Sequence, residues 1–158
     1  MSTKQNARRR SKLELLLWGI AFPGFGQLIS GRYIKGIVFL LLELVINLNA
    51  NFNRIIMLSF NGETRLATEL THYNWLMFYP CIYFFAIWDA YHEGEGPEQP
   101  YMFLPFVSSA YFVTVGVIYS ERITLFGFYP GPVLLPMIFL IPGLVVGFMV
   151  RALLLRLK

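Results

Sequence analysis

The chain has little charge, one thiol and two imidazoles. Asp, Glu, Lys and Arg make up 14% of its 158 residues, against roughly 25% in ordinary globular domains. Cys81 is the single cysteine, so neither an internal disulfide nor a cysteine-pair metal site can form; within its apolar run it reads as a buried structural thiol. Catalytic signatures are also missing. Gly24-x-Gly26 has no preceding strand and no following Lys-Ser or Lys-Thr, so it is not a phosphate cradle. Neither a Gly-x-Ser-x-Gly elbow nor a His-Glu-x-x-His helix occurs. Asp89, His92, Glu93 and Glu95 are metal-ligand types at close spacing, but Gly94-Glu95-Gly96-Pro97 makes that segment a solvated acidic loop without a cation. No metal, no cofactor and no enzymatic activity are expected, because no nucleophile is paired with a base.

What is abundant is apolar surface. Hydrophobic residues reach 56%, more than a soluble domain of this size can hide given its surface-to-volume ratio. Lipid is the natural solvent for such a chain. The net charge of +4 sits in flanks and short loops rather than on one polar face, so it reads as a topology signal and not as a nucleic-acid footprint. The fold class expected is therefore all-α: a polytopic membrane helical bundle with the lipid bilayer as its partner.

Residues 1–11 carry Lys4, Arg8, Arg9 and Arg10 with little apolar surface, which predicts a disordered basic cytoplasmic tail ahead of a single membrane-embedded domain over residues 12–158. No small-residue cleavage site follows the first apolar run, so the N-terminus is expected to be retained. Ser11-Lys12-Leu13-Glu14 has capping-box spacing and starts helix 1 near Lys12. From Leu13 to Phe22 the apolar part is only about 15 Å long, half of a bilayer core. Helix 1 is then either a marginal kinked span continuing to Ser30 or an element that enters and turns back. The interruption is Pro23-Gly24-Phe25-Gly26-Gln27, followed by Gly31-Arg32-Tyr33-Ile34-Lys35-Gly36.

The second apolar run, Ile34 to Asn49, contains Glu43. This carboxyl lies about 12 Å along the helix from Lys35 and must face protein or water, be protonated, or cost several kcal/mol. Asn47, four residues on, shares its face. Glu43, Asn47 and Gln27 are the intramembrane polar candidates. Glu43 is either a proton or cation relay or a structural hydrogen-bonding group in the bundle. An amphipathic continuation to Ile56 leads to a turn at Asn61-Gly62 and a polar connector from Glu63 to Thr71. Helix 3 is aromatic-rich from Tyr73 to Tyr91 and is expected to kink at Pro80. Helix 4 runs from Tyr101 to about Ser120, and helix 5 from about Pro132 to Leu155 carries Gly143-x-x-x-Gly147, a spacing for close helix packing within the chain or in a homo-oligomer.

Charge placement discriminates two topologies. Five spans place eight cations inside and five outside, whereas a re-entrant first helix gives ten and three. The second separates charge better, so four full spans plus a kinked re-entrant or interfacial first helix are expected, with five spans as the alternative and both termini cytoplasmic in the preferred case.

Pro-Gly-Phe-Gly-Gln at Pro23 to Gln27, Gly31-Arg32-Tyr33-x-Lys35-Gly36, and later Trp88-Asp89-Ala90-Tyr91 resemble a pattern of small bacterial multi-pass membrane proteins similar to the two-helix transmembrane domain family. A similar segment occurs in some sugar-importer permease subunits. The resemblance covers Leu13 to about Tyr91. It implies a bacterial inner-membrane location, with Pro23, Gly24, Gly26, Gln27, Arg32, Lys35 and Asp89 at the cytoplasmic face and Asp89 close to Arg32 or Lys35. The function expected is a non-enzymatic accessory or interaction component of an envelope or transport system; the alternative is a small oligomeric transporter or channel-like protein using Glu43.

Overall fold

The computed structural model of the chain describes residues 10–157, and these are all-helical apart from turns and two isolated bridges. Of the expected basic tail, residues 1–9 lie outside the described residues. Arg10 and Ser11 belong to the start of the first helix instead: Arg10 pairs with Glu14, and the Ser11 hydroxyl accepts from the Glu14 amide at 3.2 Å. The helices are α1 (Lys12–Ala21), α2 (Phe25–Ile29), α3 (Tyr33–Ala50), α4 (Phe52–Phe60), α5 (Thr64–Glu69), α6 (Tyr73–Leu76), α7 (Tyr79–Glu93), α8 (Phe103–Tyr119) and α9 (Gly131–Arg156).

α1 descends along α7 in the opposite sense. Its start lies against Gly94, where an added Cβ would stand 2.6 Å from the Lys12 Cα, and the Ile20 carbonyl accepts from the Tyr83 hydroxyl at 2.7 Å. The chain then reverses. Gly24 adopts φ 96°, a conformation open chiefly to glycine, and α2 comes back past Leu15 and Ala90, so that Arg32 reaches the same end of the molecule as Lys12. α3 runs antiparallel to α7, with Lys35 beside Asp89 and the Phe39 ring tilted against that of Phe85. Asn51, at φ 58°, separates α3 from α4. Helices α3, α7, α8 and α9 thus connect two ends. One holds Lys12, Arg32, Lys35 and Arg151; the other holds Arg54, Arg65 and Arg122.

Three details differ from the sequence-based expectation. Pro80 accompanies a break rather than a mid-helix kink: the helix expected from Tyr73 to Tyr91 is interrupted at Met77 and Phe78, and Pro80 falls in the first turn of α7, where there is no intrahelical N–H bond to lose. Cys81 is exposed on the outer face of α7 rather than buried. The connector after Asn61 contains α5, whose Thr64 and Ala67 are buried; the Thr64 hydroxyl donates to the Tyr129 carbonyl at 2.7 Å.

α3 and α9 are long and apolar enough to cross a membrane, with mean hydropathies of 1.6 and 2.6, and α8 is a shorter apolar helix. A buried cluster of Ile46, Ala50, Ile55, Leu58, Ala67, Leu76, Val117 and Val133 joins α3 to α9 toward the far end. α8 and α9 pack through small residues. A Cβ on Gly147 would stand 2.5 Å from the Pro105 Cα, and one on Gly143 would stand 2.9 Å from the Ser109 Cα. Both glycines therefore serve contacts within the chain.

Rigid backbone against Gly147 decides the sign of a substitution there. Gly147→Ala should destabilise by about 1–3 kcal/mol despite alanine's better helix propensity. Gly19→Ala, whose Cβ would find only ordinary contacts at 3.4 Å or more, should be neutral or stabilising by up to about 1 kcal/mol. Thermal unfolding in detergent compares the two; equal effects would contradict the α8–α9 contact.

Candidate functional site

Two polar clusters interrupt the apolar bundle. The first lies at the end shared by α1, α2, α3 and α7. Gln27 is fully buried, and its Nε2 donates to the Ala86 carbonyl at 2.8 Å and to Asp89 Oδ2 at 3.0 Å. Lys35 Nζ donates to Asp89 Oδ1 at 2.7 Å and to Glu93 Oε1 at 3.0 Å, and Arg32 pairs with Glu93 Oε2 at 3.0 Å. Asp89 therefore meets Lys35, while Arg32 meets Glu93. Two cations face two carboxylates, so the cluster is neutral and holds α2 and α3 onto α7. The loop after α7 is also clasped. The Glu95 amide donates to the Arg10 carbonyl at 2.9 Å, and Lys12 Nζ donates to the Pro97 carbonyl at 2.8 Å. The acidic segment thus does have cations, supplied by α1 and α3 from positions distant in sequence. Among the described residues no group of three or more His, Cys, Asp and Glu side chains converges on a common point.

The second cluster surrounds Glu43. Helix periodicity puts Glu43 and Asn47 on one face of α3, and that face looks onto a cavity of about 470 Å³. Its walls are the α1 tip from Ile20 to Pro23 together with residues of α3, α4, α6, α7, α8 and α9. Glu43 is 6% exposed. The Tyr79 hydroxyl and the Asn47 amide are its nearest polar neighbours. Asn47 is held in turn, with Nδ2 donating to Asn53 Oδ1 at 3.1 Å and Oδ1 accepting from the Asn53 amide at 3.4 Å. Aromatic rings supply much of the surface: Phe52 lies 4.4 Å from Tyr79 between centroids, and Tyr79 stacks on Tyr83 at 5.5 Å. Among the described residues, no Lys, Arg or His lines the cavity.

The structure brings Glu43 and Asn47 together and, separately, Gln27, Arg32, Lys35 and Asp89. Pro23 joins the first group as cavity wall. Gly24 and Gly26 supply close packing, and Gly143 and Gly147 belong to neither site. Tyr79 and Asn53 were not picked out from the sequence, and Glu93 was noted there only as a metal-ligand type in an acidic loop. Tyr79 was one ring in an aromatic run, and nothing in spacing alone distinguishes a ring that faces α3. In comparisons with protein-family models, with curated proteins and with solved structures, nothing matches this chain.

The difference in burial between the two kinds of contact at the first cluster sets what each is worth. The Lys35 side chain is 46% exposed, so a double-mutant cycle of Lys35→Ala and Asp89→Ala should show a coupling below about 1 kcal/mol. Gln27→Ala, which leaves a buried carboxylate oxygen without its donor, should cost about 1–3 kcal/mol. A Gln27→Ala protein as stable as the parent in chemical denaturation would contradict this placement.

Proposed function

We propose that this is a non-enzymatic, multi-pass inner-membrane protein of four spans and a re-entrant N-terminal hairpin, serving as the ligand-binding component of a bacterial envelope or transport system. The observation that carries the reading is the Glu43 cavity: a drug-sized, mostly apolar, partly open space with one carboxyl and several aromatic rings, set among helices whose outer faces are themselves apolar.

Several features support the membrane placement. Only 28% of the apolar window in α3 and in α9 is buried, whereas the core helix of a soluble protein is mostly covered. Leu41, Leu44, Val45 and Leu48 on α3, and Ile141, Val145, Phe148 and Met149 on α9, face outward. α6 and α7 together run 21 residues from Tyr73 to Glu93, about 31 Å if straight and so long enough for a bilayer core. Described cations are more numerous at the end that holds Lys12 and Arg151 than at the end that holds Arg122, the asymmetry expected when the former is cytoplasmic. The likeness of Pro23–Gly36 and Trp88–Tyr91 to the two-helix transmembrane domain pattern agrees with that orientation.

A second reading, transport through the chamber, is favoured by the position of Glu43, since intramembrane acids often relay protons or cations. Reconstitution into liposomes separates the two readings. The binding role predicts no proton-coupled flux, while flux that disappears in Glu43→Gln would assign the protein to transport.

Topology is testable in a Cys81→Ser background with a membrane-impermeant maleimide added to intact cells. Cysteine at Asn61 or Glu121 should be labelled, and cysteine at Glu98 should be labelled only after lysis. Labelling at Glu98 in intact cells would overturn the four-span arrangement.

A further inference from the structure

We infer that the Glu43 cavity is a site for a monovalent lipophilic cation, an organic ammonium or phosphonium with an apolar body; this rests on the ligand-binding reading above and adds the charge of the ligand. Four observations converge. The chamber of about 470 Å³ has the size of a small-molecule site. Among the described residues its single charge-bearing group is the Glu43 carboxyl, with no basic side chain on the walls to neutralise it. The ion pairs found among the described residues lie elsewhere, on Glu14, Asp89 and Glu93. Phe52, Tyr79, Tyr83 and Phe84 line the same cavity, and aromatic rings attract organic cations.

The local geometry also explains why an inorganic cation is the poorer occupant. A small hard ion takes six or more oxygen ligands, whereas the side chains lining this cavity offer one carboxyl, two asparagine amides and two phenols. The Tyr83 hydroxyl is already committed to the Ile20 carbonyl, and Asn47 and Asn53 are committed to each other. A large, weakly hydrated cation asks for one opposite charge and a wide apolar surface, and the cavity supplies both. The α1 tip, with Ile20, Phe22 and Pro23 on the wall, stands between this chamber and the neutral cluster around Asp89, so a bound cation would approach from the other sides.

The test uses the full-length protein in lipid nanodiscs and equilibrium dialysis with two probes, radiolabelled tetraphenylphosphonium and the neutral triphenylphosphine oxide, with empty nanodiscs as the blank. Saturable binding of tetraphenylphosphonium, weakened at least about tenfold in Glu43→Gln and retained in Glu43→Asp, is the expected result. Binding of the neutral probe with tetraphenylphosphonium excluded, or equal binding by parent and Glu43→Gln, would overturn the cation assignment and leave the ligand-binding reading standing. Saturable binding of neither probe would overturn both. Should Glu43→Gln fail to fold, an azide-bearing phosphonium photolysed on the unaltered protein gives the same answer. Adducts on Phe52, Tyr79 or Phe84 support the site, and adducts confined to the outer faces of α3 and α9 contradict it.

Discussion

The fold depends on a close approach of backbone that only very small residues allow. Between α1 and α3 the chain must reverse inside an apolar bundle, and it does so where Gly24, Gly26 and Gly36 remove the side chains that would otherwise collide. A Cβ on Gly24 would stand 2.6 Å from the Gly36 carbonyl oxygen, and one on Gly26 would stand 2.6 Å from the Ala90 Cβ. Both lie inside van der Waals distance, so neither contact survives a larger residue without moving a helix. Gly24 also takes a left-handed backbone, so its identity is required twice over. With the hairpin seated, Gln27 reaches the Ala86 carbonyl and Asp89, and Arg32 and Lys35 return to the level of Glu93.

That seating has a second consequence at the other end of the hairpin. Because α1 stops after ten residues, its tip ends beside Tyr83 instead of crossing the bundle. Space is left beyond it, bounded by α3, α4, α7, α8 and α9, and this space is the Glu43 chamber. A continuous first span would have to occupy that region. The short helix, the glycine-rich reversal and the buried acid are therefore parts of one arrangement: the reversal makes room, and Glu43 faces the room. Its carboxyl is acceptable in an apolar setting because the polar ends of Tyr79 and Asn47 stand beside it and the cavity supplies access.

Much of this was legible in the sequence where local rules decide. Ser11 capping Glu14 fixed the start of α1, the apolar length to Phe22 was too short to span, and four-residue spacing put Glu43 and Asn47 on one face. Apart from the closeness of Asp89 to Lys35, which the resemblance implied, contacts between segments distant in sequence were not legible. The Tyr79–Glu43 pair and the Glu93–Arg32 pair join α7 to α3 and to the segment before it, and depend on helix register that composition does not encode. Cys81 and Pro80 were misjudged for related reasons. An apolar run does not say which face turns outward, and a proline does not say whether it falls in a first turn or in mid-helix until the helix boundary is known. α5 was hidden because its short, mostly polar sequence acquires its burial from other elements, Ala67 from the core cluster and Thr64 from Tyr129.

The central claim is that the first helix enters the membrane and returns to the side from which it came. Depth measurements by electron paramagnetic resonance, with single nitroxides at Leu13, Ile20 and Tyr33 in reconstituted bilayers, test it most directly, since all three side chains point outward. A re-entrant hairpin predicts that Ile20 is deepest and that Leu13 and Tyr33 are both shallow on the same side. Depth that passes from one surface at Leu13, through the middle at Ile20, to the opposite surface at Tyr33 would contradict it.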